Sequence, residues 1–305
     1  DRRGYPSVVT SDERTPPPAD PREPQIDIPA QRDDYPGHTE HLEPRPDHGE
    51  ESYVGSGRMT GRRALVTGGD SGIGRAVAIA FAREGADVAI TYLPEERADA
   101  DATVELVRAA DRRGLAHEVD LRDEAACRRI VDDTAREFGG LDIVVNNAGY
   151  QMAIESFEQL TTEQMVRTFS TNVFALLWVS QAALPHLQPG SAIVNSTSIQ
   201  AYDPSPSLLD YAATKAAIVN LTANLARSLA ERGIRVNAVA PGPVWTPLQP
   251  PTQPPEKVES FGNSTPLGRP GQPADLAPAY VFLASQDSRY VTGETIAVTG
   301  GRLTP

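Results

Sequence analysis

A short apolar run that ends in a cluster of glycines does most to restrict what this chain can fold into. Ala64–Thr67 reads as a strand, and Gly68-Gly69-Asp70-Ser71-Gly72-Ile73-Gly74 follows it directly. Ile73, Val77, Ala80 and Phe81 then recur at i, i+4, i+7 and i+8, which marks one face of a helix. Gly85 ends that helix, and the alternation continues downstream. Val88–Leu93, Ala116–Leu121, Ile143–Asn146, Ala192–Ser196, Arg235–Ala240 and Thr295–Val298 read as further strands, with helix-length segments between them. Strands separated by crossover helices pair in parallel, with helices packed on both faces. The predicted fold class is therefore α/β, a single doubly wound parallel sheet of about seven strands. No internal repeat interrupts it.

The first 57 residues have a different texture. They carry Pro16-Pro17-Pro18, repeated pairs of proline and acid, and three of the five histidines, with few apolar runs. Such a sequence keeps neither a helical nor a strand period, so extended or irregular backbone is expected. Tyr5, Ile26, Ile28, Tyr35, Leu42 and Tyr53 are spaced apolar anchors, which predicts an arm lying along a folded surface. The predicted organisation is an acidic, Pro-rich arm over residues 1–57 and one α/β domain over 58–305.

The formal charge of −13, about half of it in the arm, argues against nucleic acid as a partner, because phosphate binding needs surplus Lys and Arg. No apolar run reaches bilayer-spanning length and no signal-like segment stands near the start, so no membrane role and a cytoplasmic location are expected. The single cysteine, Cys127, excludes an intramolecular disulfide and is expected to be a buried, inert thiol. His38, His41 and His48 fit no zinc spacing, so no metal is predicted.

Chemistry enters at three places. A glycine turn between strand and helix lets backbone approach a pyrophosphate closely, and the helix N-terminus then meets its charge. Gly68, Asp70, Ser71, Gly72, Ile73 and Gly74 are the candidate contacts. In Tyr211-Ala-Ala-Thr-Lys215 the tyrosine and lysine share a helix face one turn apart. A free phenol, with a pKa near ~10, is a poor base at neutral pH, and a neighbouring ammonium favours its phenolate. Ser198 stands thirteen residues before Tyr211, just after the fifth strand, where its hydroxyl could hold a substrate carbonyl.

The glycine spacing G-x-x-x-G-x-G, the Tyr-x-x-x-Lys pair and the offset of Ser198 together resemble the short-chain dehydrogenase/reductase family. Asn146-Asn147-Ala148-Gly149, Asn172 and Pro241-Gly242-Pro243-Val244-Trp245-Thr246 match further signatures, so the resemblance covers about Arg62 to Gly301. It implies a Rossmann-type fold, a nicotinamide cofactor, and a catalytic tetrad of Asn172, Ser198, Tyr211 and Lys215. Asn172 would hold a water linking Lys215 to solvent. Asp120 and Leu121 would flank the adenine, and Asn147, Ala148 and Gly149 the adenine ribose. Pro241, Gly242, Val244 and Thr246 would wrap the nicotinamide. Enoyl reductases of this superfamily stretch the Tyr–Lys interval and epimerases use other glycine spacings, which leaves alcohol/carbonyl interconversion. The arm leading into Tyr53-Val-Gly-Ser-Gly57, Tyr92-Leu93-Pro94-Glu95-Glu96 and Ile199–Pro204 are similar to the bacterial glucose/ribitol dehydrogenase-like or aldehyde reductase-like subgroup, which implies a homotetramer.

Cofactor choice is read from the end of the second strand, where an acidic residue would bond the adenosine 2′-hydroxyl of NAD. Tyr92 and Leu93 stand there, without an acid and without a basic cluster. Asp70, Glu95 and Glu96 would repel a 2′-phosphate, and Arg97 is the one candidate counterion. NAD is therefore expected to be preferred, with NADP accepted. Gln151, Gln200, Tyr202 and Trp245 adjoin the catalytic motifs and are the expected substrate-pocket residues. The expected function is oxidoreduction of an aldehyde, ketone, sugar or polyol. A tailoring ketoreductase acting on a bulky secondary metabolite and a non-catalytic cofactor-sensing regulator are the competing readings.

Overall fold

The structure is a computed structural model that describes residues 20–302; Tyr5 and the Pro16–Pro18 run lie outside the described residues. Seven strands form one parallel sheet: β1 (Arg63–Val66), β2 (Asp87–Tyr92), β3 (Gly114–Glu118), β4 (Ile143–Asn146), β5 (Ala192–Ser196), β6 (Arg235–Pro241) and β7 (Thr295–Val298). Their order is β3-β2-β1-β4-β5-β6-β7. The strand order reverses between β1 and β4, so a crevice opens there beyond the carboxyl ends of the strands. The third strand starts and ends earlier than its apolar pattern predicts. β2 stops at Tyr92, paired with Glu118; after a last bond from the Val119 amide to the Tyr92 carbonyl at 2.9 Å, Asp120 and Leu121 run on into the crevice.

Among the described residues nine helices connect and flank the strands: α1 (Gly72–Arg83), α2 (Arg97–Ala109), α3 (Glu124–Phe138), α4 (Thr162–Phe169), α5 (Ala175–Ala183), α6 (Leu209–Leu229), α7 (Gln249–Thr252), α8 (Pro255–Glu259) and α9 (Pro273–Ala284). Local sequence sets their ends. The Asp123 side chain accepts from the Ala125 and Ala126 amides to start α3, and Gly139 in the left-handed region closes it. The Thr161 hydroxyl caps α4 through the Gln164 amide. One apolar layer joins the sheet to α1, α2 and α9, through Val77, Phe81, Val107 and Val281. The other joins it to α3, α5 and α6, through Val131, Val179 and Leu229. Cys127 is buried in this second layer, where its thiol is pushed up to about 12 by desolvation.

From residue 20 to 57 the arm has no strand and one short 3-10 helix, Thr39–His41. It lies across the folded domain. Ile28 and Leu42 are buried against Trp245 and Val258. The Thr39 amide donates to the Asp99 carboxylate at 2.9 Å, and the Trp245 indole donates to the Pro44 carbonyl at 2.7 Å. At the end of α1, Arg83 donates to the carbonyls of Gly49 and Tyr53. Glu84, fully buried, accepts from the Tyr53 hydroxyl and the Arg58 guanidinium, and together they hold its carboxyl down to about 2.

Candidate active site

The crevice is a cleft floored by the strand ends and by the loop between β1 and α1. Gly68 and Gly72 both have positive φ, +59° and +50°, which only glycine adopts without strain. At Gly74 a Cβ would fall 1.9 Å from the Gly68 carbonyl oxygen and 2.6 Å from the Asn147 amide, so this glycine permits close packing below the cleft without lining it. α1 starts with no side chain capping its first amides, and Ser71, Gly72 and Ile73 face the cleft. Free amides at a helix N-terminus beside a glycine cradle suit a pyrophosphate.

Asp70 also lines the cleft; it is buried, and its Oδ2 has no hydrogen-bond partner. Burial and the neighbouring Glu96 hold its carboxyl well above the ordinary range, and burial pushes Glu96 up to about 7. Tyr92, Leu93, Asp120 and Leu121 line the same end. The Arg122 guanidinium holds Asp120 at 2.9 Å and lowers its pKa. Arg97 is ion-paired with Glu118 and does not face the cleft. This end therefore offers three carboxyls, Asp70, Glu96 and the Arg122-paired Asp120, and no free cation from the β2 turn, while Arg122 and Arg167 line the wall near Asp120. Uncapped amides, a glycine cradle and an orphaned carboxyl oxygen fit a nicotinamide dinucleotide.

At the other end stand Ser198, Tyr211 and Lys215, with Asn147, Ala148, Gly149, Pro241, Gly242, Val244 and Thr246 on the surrounding wall. Tyr211 and Lys215 sit one turn apart on α6, with the ammonium 5.3 Å from the phenol ring centre. Lys215 is buried and donates to the Ser196 carbonyl at 2.9 Å. Burial lowers its pKa to about 8. Burial also pushes the Tyr211 phenol up to about 12, against a downward pull from Ser198. A lysine one turn on favours the phenolate, yet here desolvation dominates and the phenol is raised.

Asn172 lies one layer behind the cleft, in a π-helical turn, Ser170–Phe174, that links α4 to α5. Its side chain accepts from the Tyr150 amide (2.7 Å) and donates to the Tyr150 carbonyl (2.9 Å) and the Thr214 hydroxyl (3.0 Å). Its amide is thus fully used in fixing the segment after β4 against α6. A Cβ added at Gly149 would lie 3.7 Å from both Asn172 Oδ1 and Lys215 Nζ, which shows how closely these groups converge.

A family model described as Enoyl-(Acyl carrier protein) reductase matches residues 68–302, the span that holds every group just described. The chain belongs to the short-chain dehydrogenase/reductase family. It is 54% identical over 279 residues to the uncharacterized oxidoreductase YhxD of Bacillus subtilis (strain 168), covering 90% of this chain and 93% of that one. It is 44% identical to the glucose and ribitol dehydrogenase of Daucus carota, covering 90% and 96%. Among solved structures, a short chain dehydrogenase from Burkholderia cenocepacia J2315 in complex with NADP superposes with a TM-score of 0.76 at 39% identity, covering 80% and 98%. These likenesses support NAD(P) as the cofactor class and do not favour NAD within it. The Tyr211–Lys215 interval of this short-chain dehydrogenase/reductase lacks the stretch expected of an enoyl reductase.

The four residues expected to form a substrate pocket do not line the cleft. Val244 pairs with Gly271 in extended backbone, so consecutive side chains alternate. Val244 and Thr246 face the cleft while Trp245, fully buried, points to the arm. Gln151 is buried and donates to Thr252 of α7 at 2.9 Å. Gln200 accepts from the Ser205 amide, and Tyr202 ends the short turn Ile199–Ala201. Cleft residues that sequence reasoning did not identify include Tyr35, Pro36 and Gly37 of the arm, Arg122 and Arg167, whereas Pro247–Gln249 in the wall fall in the Pro-rich stretch from Pro243 to Leu267 that the family resemblance implies is a substrate lid. None of the former belongs to a recognisable motif. Tyr280, whose hydroxyl lies 2.6 Å from Ser196, was equally silent in the sequence.

Proposed function

We propose that this enzyme interconverts an alcohol and a carbonyl compound, an aldehyde, ketone, sugar or polyol, by hydride transfer with NAD(P), using Tyr211 as acid and base. The observation that carries this reading is the convergence of Ser198, Tyr211 and Lys215 at one end of a cleft whose other end suits a dinucleotide. When bound, a nicotinamide cofactor would supply or accept the hydride. In reduction the carbonyl carbon gains the hydride and its oxygen takes the proton of Tyr211. A phenol held up to about 12 keeps that proton at neutral pH until the oxygen develops charge. Ser198 holds the carbonyl oxygen, and Lys215 lowers the cost of the phenolate left behind. Asn172 acts as a positioning residue, because its side chain ties Tyr150 to Thr214 on α6.

Within the cofactor class NAD is preferred, because Asp70 and Glu96 face the adenosine end and Arg97 is occupied by Glu118. The arm (residues 1–57) and the enzyme domain (58–305) function as one cytoplasmic unit. Subunits assemble as a homotetramer through the exposed apolar side chains Met165, Val166, Phe174 and Leu209 on α4, the π turn and the start of α6. No described helix is long and apolar enough to cross a membrane.

The test is a panel of aldehydes, sugars, polyols and aryl ketones, with the oxidation of NADH and NADPH as readout. Tyr211→Phe is expected to lower kcat at least about 10³-fold on any active substrate, with dinucleotide binding retained. Residual turnover within tenfold of wild type removes Tyr211 from its role.

A further inference from the structure

Three consecutive arm residues, Tyr35, Pro36 and Gly37, form part of the cleft wall, although they lie outside the span that matches the family model. The segment is fastened on both banks. On the adenosine side the buried Thr39 donates its amide to Asp99 of α2 at 2.9 Å. On the other side Gly37 meets the segment that precedes α7, so closely that a Cβ would fall 2.2 Å from the Pro247 carbonyl oxygen. Pro247 is itself a cleft residue.

Between the banks, the Arg167 guanidinium is gripped by two aromatic rings, 4.7 Å from the Tyr35 centroid and 4.3 Å from that of Tyr150. The two rings also meet edge to face at 5.2 Å. Burial pushes the Tyr35 phenol up to about 12, so it stays neutral. Tyr150 is the residue whose backbone amide and carbonyl are both held by Asn172. The arm thus connects to the layer that supports the catalytic end.

We propose that Tyr35–Thr39 is a built-in clamp for the cofactor: it walls the cleft over the adenosine half and ties α2 to the Pro247–Gln249 lid, so that dinucleotide affinity and release depend on the arm. The inference rests on the dinucleotide reading of the cleft. A group entering or leaving the cleft passes a wall made of an aromatic ring and backbone already ordered by its contacts. Ordering these groups before binding removes part of the entropy cost of association. Loosening them is expected to act mainly on the release rate.

The experiment uses the full chain, with NADH and NADPH titrated by nucleotide fluorescence and release followed by stopped flow. Tyr35→Ala removes the ring beside Arg167, and Gly37→Ala drives the arm and the lid apart. Each is expected to raise Kd for both nucleotides at least about tenfold, mostly through faster release, while Tyr35→Phe stays within about threefold. Amide hydrogen exchange on the wild-type protein needs no variant to fold. Saturating NADH is expected to slow exchange at residues 35–39. Kd and release rates within twofold of wild type in both alanine variants, or unchanged exchange at residues 35–39, overturn the clamp. Failure of the wild-type protein to bind either nucleotide overturns the cofactor reading instead.

Discussion

Asp70 and Glu96 place two carboxyls at the end of the cleft proposed for the adenosine, and on that proposal their protonation sets what that end tolerates. The Glu96 carboxyl is raised from 4.5 to about 7, chiefly by burial. Between those values the folded protein holds a proton that the unfolded chain has released. The contribution of Glu96 to stability is therefore undiminished below about 4.5 and falls as pH rises toward 7. Glu96→Gln is expected to remove this fall, seen as a flatter dependence of Tm on pH between 4.5 and 7.5. The same ionisation puts negative charge next to a 2′-phosphate. The Kd ratio of NADPH to NADH is accordingly expected to rise between pH 6 and 8, and to collapse toward one in Asp70→Asn/Glu96→Gln. A ratio insensitive to pH and to both substitutions removes these carboxyls from cofactor selection. The sequence made Asp70 visible because it interrupts a glycine loop. It did not show that Oδ2 is left without a partner, which depends on how α2 packs behind it.

At the scale of single elements, what could be read in the sequence was what repeats locally. Tyr211 and Lys215 share a face because a helix has a fixed period, and β5 delivers Ser198 because a strand ends just before it. Trp245 was misplaced for a local reason as well. It stands inside a cofactor motif, but in extended backbone its neighbours face one side and it faces the other. What it meets there, Ile28, Leu42 and the Pro44 carbonyl, lies some two hundred residues earlier, so no window of sequence contains the contact. Trp245→Ala is therefore expected to act on stability rather than on substrate choice. Removing a fully buried tryptophan costs about 3–5 kcal/mol, and the unmade hydrogen bond at Pro44 adds to that. Thermal unfolding should show a lower Tm, and limited proteolysis should open the arm first. A changed ranking of substrates at unchanged Tm would return Trp245 to the pocket.

For the whole molecule, the arm and the exposed faces of the helices pose different questions. From residue 20 onward the arm is accounted for within its own subunit: Arg83, Glu84, Asp99 and Trp245 all bind it. Deleting the arm is thus expected to damage the cofactor cleft before it changes assembly. Apart from Val54 of the arm, Phe157 and Tyr290, the large apolar side chains left exposed among the described residues cluster elsewhere. Val166 is 58% exposed and Phe174 43%, on α4 and the π turn, and Leu209 at the start of α6 is 41% exposed. α4 and α6 pack together through the buried Asp210, which accepts from the Thr168 hydroxyl at 2.6 Å, so these side chains share one rigid support. Apolar groups concentrated on such a face mark a site of association. A charge placed there leaves the fold intact, because the side chains contribute little to the core, yet it opposes burial between subunits. If the proposed tetramer forms through this face, Val166→Glu/Phe174→Glu is expected to convert it to smaller species in sedimentation velocity, with far-UV circular dichroism preserved. Because the π turn that carries Phe174 also carries Asn172, loss of assembly should lower kcat more than it raises the Kd for NADH. A double variant that stays tetrameric moves the interface off this face.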